Sequence, residues 1–596
     1  MSEIMSRRDL DFLLYEWLDA EALTSRERYA DHSRETFAGV LGLSERLATD
    51  LFAPHNRAAD LAEPTWDGHD VHLLPEVKKA VEAYAAADLL RLGFDEQHGG
   101  LQLPTVVGVA AGAWFAAANI GTTGYVSLTA GNANLLVRHA SADLVARFVP
   151  ALLEGRFFGT MALSEPAAGS NLADITTRAV PQDDGTYRVF GQKMWISAGE
   201  HDLADNIVHL VLAKIPGGPP GTRGISLLLV PKTLVAEDGS LGERNDVVLT
   251  GINHKMGWRG TVNTAPSFGS GAFTPGGQPG AVGYLVGEPH RGLSCMFTMM
   301  NEARIGVGLA GAALGYTGYL KSLAYARSRP QGRSLTSGPE DAQVSLVEHP
   351  DVRRMLLAQK AYVEGALALV LYAARVYDDL QTASSPEARS EASQLLEVLT
   401  PIVKDWPSVW CLEANSLAIQ VLGGAGYTRD HDVEQHYRDN RLNQIHEGTH
   451  GIQGLDLLGR KVLADGGARL QVLGARMAAT IERATALGGD AVDLANRLQV
   501  SVDQLTSTVG ALAGLGEPDR MMANSTVFLE AVGHVVVAWI WLEQVVACAD
   551  KPGDFYDGKR QAAAYFFRWE LPRTRAQFEL LAAGDETVLS MRDAWF

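Results

Sequence analysis

The residue whose surroundings best suit proton transfer is Glu447, in the stretch RDNRLNQIHEGTHGIQGLDLLGRK from Arg438 to Lys461. Gly448 follows it and lets the backbone turn tightly, and Thr449 can then cap a helix. The apolar residues predicted on one face of that helix are Ile452, Leu455 and Leu458. A carboxylate at such a junction can point into a cavity, where it could act as a general base. Taken alone, Glu447 is better explained as a solvated loop acid, since most glutamates are exposed.

The string around this glutamate, IHEGTHGIQ, resembles the signature (I)YEGTxxIQ of acyl-CoA dehydrogenases. In that family the glutamate removes the α-proton of the substrate, so the resemblance implies that Glu447 is the catalytic base. It also implies that Thr449 and Gly451 contact the cofactor. His446 replaces the usual tyrosine, and we expect it to fill space rather than tune the base. Apolar burial should raise the pKa of Glu447 above its ordinary value of about 4.3.

Two further segments resemble the flavin-binding motifs of the same family. MALSEPAAGSNLADI, beginning at Met161, looks like LTEPxAGSD, with Asn171 where the family often has aspartate. Small residues let backbone N–H groups approach a ligand closely, and serines supply hydroxyls. The predicted strand KMWISAG matches MWITN, which implies that Trp195 stacks beside the isoalloxazine and that Ser197 hydrogen-bonds the flavin; a core role for Trp195 is the alternative. The contacts implied by these two segments are Met161, Leu163, Ser164, Gly169, Ser170, Trp195 and Ser197.

Further matches imply substrate contacts and a shared cofactor. Arg304 in MFTMMNEARIGVG corresponds to an arginine near the base and the thioester, Asn301 takes a coenzyme A position, and Ser170 is assigned to the substrate as well. Arg329 and Gln331 in SRPQGR resemble RxxFG, which binds the flavin diphosphate of a neighbouring subunit, and an arginine fork suits that role. QVLGGAGY resembles QxxGGxGY, whose backbone approaches the same flavin. It adds Gln420, Gly423 and Gly424. These matches imply that two subunits share each cofactor, in a homodimer or a dimer of dimers, and the added mass after residue 466 favours the homodimer.

Composition sets the broad class of the protein. The chain has 596 residues, 46% of them hydrophobic and 20% charged, with a formal charge of −19, which argues against a polyanionic partner such as nucleic acid. Three scattered cysteines predict neither a disulfide framework nor a metal site. The charged N-terminal segment lacks a signal-peptide core, and the apolar run Val535–Leu542 is too short to span a bilayer. We therefore expect a cytoplasmic enzyme without a transmembrane segment, the run being part of a buried helix.

The periodicity of the sequence predicts four domains. Residues 1–158 read as helical, residues 159–287 have the alternation of β-strands in a small barrel or sandwich, and residues 288–465 return to helices. Residues 466–596 add further helices with no chemical motif. The predicted fold is therefore mainly α with a β-barrel middle domain, the order found in acyl-CoA dehydrogenases. The last region resembles the extra helical domain of large bacterial members, including mycobacterial and dimethylsulfoniopropionate-pathway types.

The resemblance implies FAD-dependent conversion of an acyl-CoA to a trans-2-enoyl-CoA, as in fatty-acid β-oxidation, with electron-transfer flavoprotein as the acceptor. A side chain cannot accept a hydride, so the reaction needs a redox cofactor, and no GxGxxG follows a predicted strand to support a nicotinamide site. The resemblance implies that the cofactor is FAD. Two alternatives stay open on the sequence: an acyl-CoA oxidase that passes electrons to oxygen, and a non-catalytic acyl-CoA-binding protein. Acyl chain length, branching and heteroatom content cannot be read from the residues.

Overall fold

The chain forms two compact units in a computed structural model that describes residues 4–596, without the side chains of Thr298, Met300 and Asn301. The helical unit consists of Met1–Glu35, Pro104–Ala113 and Arg304–Phe596. The sheet unit consists of Thr36–Leu103 and Trp114–Ala303. The predicted division into four domains stays a prediction.

The secondary structure follows the expected order of helices, strands and helices. The helices before the large sheet are α1 Arg7–Asp11, α2 Arg34–Leu47, α3 Ala53–Leu61, α4 Pro75–Ala86, α5 Thr105–Ala118, α6 Ile120–His139 and α7 Ala142–Leu153. The strands are β1 Thr65–Trp66, β2 Val71–His72, β3 Phe157–Ala162, β4 Arg178–Pro181, β5 Tyr187–Gln192, β6 Ile196–Ser197, β7 Asn206–Lys214, β8 Ile225–Pro231, β9 Thr233–Val235, β10 Leu241–Arg244, β11 Val247–Ile252, β12 Asn263–Phe268 and β13 Ala281–Val286.

The helices after the sheet occupy the rest of the chain. Those up to the region of Glu447 are α8 Gly292–Ser328, α9 Pro350–Thr382, α10 Pro386–Leu422, α11 Val433–Arg441 and α12 His450–Leu455. Those of the C-terminal region are α13 Ala468–Leu487, α14 Asp490–Gly514, α15 Pro518–Met522, α16 Ser525–Ala547, α17 Asp554–Tyr565, α18 Thr574–Ala582 and α19 Thr587–Ser590. From Asp554 to Ala582 the chain stays helical, with a π-helical stretch at Phe566–Glu570 and a 3₁₀ stretch at Leu571–Arg573, where Pro572 lacks an N–H donor.

The large sheet of the sheet unit closes on itself, as a barrel does. Its hydrogen-bonded path runs β11-β12-β5-β13-β8-β7-β3, and β4 pairs with both β5 and β7. The β4–β7 pairing, Arg178 with Lys214, completes a ring of β4, β5, β13, β8 and β7. Strands β7 and β8 are almost wholly buried, which explains their continuous apolar sequences. This arrangement confirms the predicted mixture of helices with a sheet-rich middle segment.

In the helical unit, α8 and α10 pack with their backbones unusually close. A Cβ atom added to Gly308 would lie 2.1 Å from the carbonyl oxygen of Val403, and one added to Gly315 would lie 2.7 Å from Cβ of Cys411. A Cβ atom added to Gly311 would lie 3.2 Å from the backbone of Pro407, a less severe but still tight contact. Because no larger side chain fits at these crossings, the glycines fix the two helices against each other. The contact at Gly308 brings the first helical turn after Arg304 against the middle of α10.

The C-terminal helices pack against the helices that precede them within the helical unit. The Trp541 indole N–H donates to the carbonyl of Ala361 at 3.1 Å, and the imidazole of His534 lies against Trp410 with ring centroids 4.6 Å apart. Helices α9 and α16 are each long and apolar enough to cross a membrane, but 83% of the most apolar 18-residue stretch in each is buried within the protein. The expectation that Val535–Leu542 belongs to a buried helix is confirmed, although that helix is longer than the apolar run alone indicated.

A buried ionic cluster joins the two ends of the chain within the same unit. The Lys559 ammonium group lies 2.5 Å from Asp9 and 2.9 Å from Glu364, and it donates to Gln544 at 3.0 Å. The Tyr316 hydroxyl donates to the second oxygen of Asp9 at 3.0 Å. Lys559, Asp9 and Glu364 are each at most 3% exposed. The N-terminal helix, α9 and α17 are therefore held together by charges that water does not screen.

Candidate active site

Glu447 lies in a tight turn between a short 3₁₀ segment, Leu442–Gln444, and helix α12. Its φ is +52°, in the left-handed region that costs a non-glycine residue about 1–3 kcal/mol, and Gly448 follows with φ +96°. The buried amide of Gln453 donates to the carbonyl of Glu447 at 3.0 Å and to that of Gly448 at 3.3 Å. The surrounding hydrogen bonds therefore hold the carboxylate-bearing residue in a conformation that it would not choose by itself.

Two predictions for the helix after this turn are wrong. Thr449 occupies the N-cap position but its side chain forms no capping hydrogen bond; its carbonyl accepts from the N–H of Gln453 instead. The predicted apolar face is also displaced, because Leu455 is 44% exposed whereas Asp456 is buried. From Asp456 to Leu463 the chain is a π-helix, so the residues that follow are also displaced from a 3.6-residue period.

Helix α10 supplies two charged residues to this turn that the sequence motifs do not include. Lys404, fully buried, donates from Nζ to the carbonyl of Gly448 at 2.7 Å. The adjacent Asp405 pairs with Nδ1 of His450 on the other side of the turn. A lysine–aspartate pair within the apolar run TPIVKDWPSVW was the available signal, since charged residues are seldom buried without a partner.

Arg304 is the first residue of α8 that belongs to the helical unit, and it is 3% exposed. Its Nη1 donates to Asp456 Oδ2 at 2.8 Å, so the buried guanidinium group and the buried carboxylate are paired. The Nε donor of Arg304 has no hydrogen-bond partner among the described residues. A buried donor without a partner is costly, and it leaves the group available to a ligand acceptor.

The electrostatic surroundings set the proton affinity of Glu447. Burial raises the pKa of its carboxyl above the ordinary value, while the charges of Lys404 and Arg304 act in the opposite direction. The expected upward shift is thus confirmed, although its surroundings are not purely apolar as the sequence suggested. A carboxylate with a raised pKa is a stronger base, and is better matched to a weak carbon acid.

His446 is held in its neutral form beside the base. Burial lowers the pKa of its imidazole to about 3, and the charge of Lys404 contributes in the same direction. Its Nε2 lies 3.1 Å from Oδ1 of Asn443. An imidazole that stays neutral over the working pH range cannot serve as an acid there.

In the sheet unit, the loop predicted to bind flavin is anchored by a buried ion pair. The ammonium group of Lys193 lies 3.0 Å from Glu165 and donates to the carbonyl of Leu163 at 2.9 Å. Burial opposes ionisation of Glu165, but Lys193 and donors from Thr176 and Thr177 lower the pKa of its carboxyl to about 2. The pair therefore ties the segment after β3 to the segment that carries Trp195.

Trp195 is an exposed aromatic on a strained backbone. Its φ is +66° and its side chain is 63% exposed, so the predicted strand from Lys193 to Gly199 is wrong and only Ile196–Ser197 form β6. The exposure also excludes the core role that was the alternative for this residue. Ser197 is half-buried, and its hydroxyl oxygen accepts from the side-chain amide of Asn263 at 3.3 Å.

The residues of this surface fit a flavin. Gly169 and Ser170 are exposed, their backbone N–H groups donate to no other described group, and a Cβ added to Gly169 would meet no atom within 4 Å. Met161, Leu163 and Ser164 lie half-buried beside them. Open N–H donors, serine hydroxyls and an exposed indole ring are the groups that bind a ligand with a polar chain and a flat aromatic ring. Asn171 differs, since its side chain accepts from the N–H of Ala173 in a local turn at 2.9 Å.

The residues expected to reach a neighbouring subunit lie at one end of the helical unit. The last turns of α8 and α10 share an apolar cluster that includes Ala326, Val421 and Leu422. Arg329 and Gln331 follow the first helix, and both are exposed. The exposed residues after or within the end of α10 are Gln420, Gly423 and Gly424.

The remaining residues that were predicted to contact substrate or cofactor are divided between the two units. Ser170 belongs to the sheet unit, whereas Arg304, Glu447, half-buried Thr449 and exposed Gly451 belong to the helical unit. The side chain of Asn301 lies outside the described residues.

Three family models match successive parts of the chain. The model described as "Acyl-CoA dehydrogenase, middle domain" matches residues 160–268. "Acyl-CoA dehydrogenase, C-terminal domain" matches residues 290–463, and "Acetyl-CoA dehydrogenase C-terminal like" matches residues 473–592.

Relatives match over the full length. The chain is 36% identical to 3-methylmercaptopropionyl-CoA dehydrogenase of Ruegeria pomeroyi, with 98% of each chain covered. It is 33% identical to the broad-specificity linear acyl-CoA dehydrogenase FadE5 of Mycobacterium tuberculosis, with 99% of each covered. A crystal structure of an acyl-CoA dehydrogenase complexed with FAD from Bacillus anthracis has a TM-score of 0.74 and 18% identity, covering 98% of this chain and 93% of that one. The last likeness concerns the fold alone.

Proposed function

The chain belongs to the acyl-CoA dehydrogenase family, and we propose that within it the enzyme oxidises a saturated acyl-CoA to the trans-2-enoyl-CoA with Glu447 as the base. The family establishes an FAD-dependent oxidoreductase with acyl-CoA substrates, so the non-catalytic alternative is not supported. The observation that carries the residue assignment is the turn at Glu447. Its backbone is strained and its backbone carbonyl accepts a hydrogen bond from Gln453, while burial raises the pKa of its carboxyl and the buried cations Lys404 and Arg304 act on it.

The residues of the turn suit removal of a proton from carbon. An α-proton next to a thioester is weakly acidic, so the step needs a base held in place and a donor for the developing enolate oxygen. Glu447 supplies the carboxylate, and the hydrogen bonds from Gln453 keep its backbone in one orientation. Arg304 places a positive charge near the base, which favours the ionised, proton-accepting carboxylate at neutral pH.

FAD is the cofactor of this family, and when bound it supplies the acceptor for the hydride that leaves the β-carbon. Trp195, Ser197, Gly169 and Ser170 are the residues that we assign to hold it, on the exposure and open donors of the loop. The ion pair of Lys193 with Glu165 anchors the loop that forms this surface.

The purified protein should contain non-covalent FAD that an acyl-CoA bleaches anaerobically and that electron-transfer flavoprotein reoxidises. We expect non-covalent binding because the surface offers hydrogen bonds and aromatic stacking to the cofactor, and we assign no residue to a covalent bond with it. Absorbance spectra before and after acid precipitation measure the bound and released flavin, and a panel of butanoyl-, octanoyl-, palmitoyl- and 3-methylmercaptopropionyl-CoA measures bleaching. A protein that takes up no FAD would contradict the proposal. Faster reoxidation by oxygen than by electron-transfer flavoprotein would instead establish an oxidase.

We further propose a homodimer in which one subunit completes the flavin site of the other. Arg329 and Gln331 are exposed at the same end of the helical unit as Gly424, and an arginine fork suits a diphosphate. Light scattering should give twice the mass of one chain, and Arg329→Ala should lower FAD content while the exposed control Arg592→Ala does not. A monomer with full FAD and full activity would contradict the shared site.

A further inference from the structure

We infer that Lys404 is a positioning residue for proton abstraction: its ammonium group fixes the turn that carries Glu447 and compensates the negative charge of the ionised base. This inference rests on the proposed role of Glu447. Lys404 lies outside every motif that carries the sequence resemblance. It precedes Gly448, the residue that it contacts in the turn, by 44 positions.

The first support is geometric. Lys404 Nζ donates to the carbonyl of Gly448 at 2.7 Å, directly after the left-handed residue Glu447. Asp405, the next residue of α10, pairs with His450 at the start of the following helix. Two neighbouring residues of one rigid helix therefore hold the turn at two points. Because α10 is itself closely packed against α8 at the glycine contacts, the turn is attached to a helix that cannot easily shift.

The second support is the burial of the lysine. Lys404 is 0% exposed, and its neighbours on either side, Val403 and Asp405, are buried as well. Methionine would fill such a position without the large desolvation cost of an ammonium group. A charge that is costly to bury and that forms one hydrogen bond to a carbonyl oxygen is therefore better explained by its effect on the adjacent base than by packing.

The groups that act on the two residues are few. Burial lowers the pKa of Lys404 to about 8; Asp405 and Glu447 oppose that shift, and Arg304 adds to it. For Glu447, burial raises the pKa, and Lys404 and Arg304 oppose the rise. His446 is neutral and contributes no charge. Asp456 is paired with Arg304, and His450 with Asp405, at the edge of the same group.

The sign of the expected effect follows from these charges. Glu447 accepts a proton only when it is ionised, so the rate of flavin reduction should rise with pH through its pKa. Removing the charge of Lys404 removes one influence that holds this pKa down, so the pKa of Glu447 should rise further and the rate profile should move to higher pH. On the acidic limb of the profile the rate should fall by about tenfold or more relative to the unmodified enzyme, and the loss should be recovered at higher pH.

The test compares Lys404→Met with Lys404→Arg in the FAD-containing enzyme. Stopped-flow reduction by octanoyl-CoA is followed from about pH 5 to about pH 9, a range that brackets the titration of a carboxyl with a raised pKa. Amide hydrogen exchange of residues 445–450 is measured in the same variants. We expect the methionine variant to show a rate profile displaced to higher pH and faster exchange in this peptide. The arginine variant keeps the charge and should resemble the unmodified enzyme in both measurements.

Several outcomes would overturn the inference. A methionine variant that loses the same factor at every pH, or that matches the unmodified enzyme, shows that Lys404 only packs. If the methionine variant does not fold, comparing the unmodified enzyme with Lys404→Arg still tests the inference. Amide exchange in residues 445–450, measured relative to a distant peptide, should increase above about pH 8 in the unmodified enzyme, where Lys404 loses its charge, and should not increase in Lys404→Arg. The same pH dependence of exchange in both proteins overturns the inference. Failure of the proposed base is distinct, because it is measured on Glu447→Gln alone.

Discussion

Glu447→Gln should slow anaerobic flavin reduction by acyl-CoA at least about 10²–10⁴-fold, the usual contribution of a positioned general base. Glutamine keeps nearly the same shape, and the turn is held through backbone carbonyls that the substitution does not alter. The amide cannot accept the α-proton. The buried charged groups that act on residue 447, Lys404 and Arg304, are cations, and we expect neither to replace the carboxylate as a base at neutral pH.

The measurement is stopped-flow bleaching of the flavin absorbance, with FAD content determined on the same preparation. Glu391→Gln is a matched control, because that carboxylate pairs with Arg476 on the surface of the same unit, at 45% side-chain exposure. We expect full FAD in both variants and a normal bleaching rate only in the control. Bleaching of Glu447→Gln at the rate of the unmodified enzyme would place the base elsewhere.

Lys559→Met should destabilise the helical unit by about 3–5 kcal/mol, the cost of breaking a buried pair from one side. The substitution leaves Asp9 and Glu364 buried without the cation between them. Burial raises the pKa of Asp9, and Lys559 opposes that rise. Its loss should therefore favour a neutral, protonated Asp9, which relieves part of the cost only at low pH. The destabilisation should accordingly be larger at about pH 8 than at about pH 5.

Urea unfolding followed by tryptophan fluorescence can measure this loss, since Trp406, Trp410 and Trp541 lie among the packed helices of the unit. Lys551→Met serves as the control: its ammonium group pairs with Glu16 at 2.9 Å, but the side chain is 35% exposed, and such pairs contribute at most about 1 kcal/mol. A midpoint for Lys559→Met equal to that of the control would show that the cluster does not hold the ends of the chain together.

Much of the fold was predictable because it depends on local periodicity. Helix α7 begins at Ala142, directly after Ser141, which caps it, and the buried strands β7 and β8 appear as largely apolar runs. The turn at Glu447 was also readable, since a glycine directly after the glutamate permits it. These features depend on residues only a few positions apart, so the sequence indicates them directly.

The tertiary structure decided which polar groups are buried and what they face. Lys404 is 44 positions from the carbonyl that it binds, and Lys559 is more distant still from Asp9, so no local period can report either contact. The left-handed Trp195 and the exposed Leu455 lie close in sequence to two further long-range pairs, Lys193 with Glu165 and Arg304 with Asp456, which no local period reports either. The sequence thus indicated the residue that we propose as the base and the turn that carries it, whereas the charges that set the proton affinity of this residue depend on helices that only folding brings together.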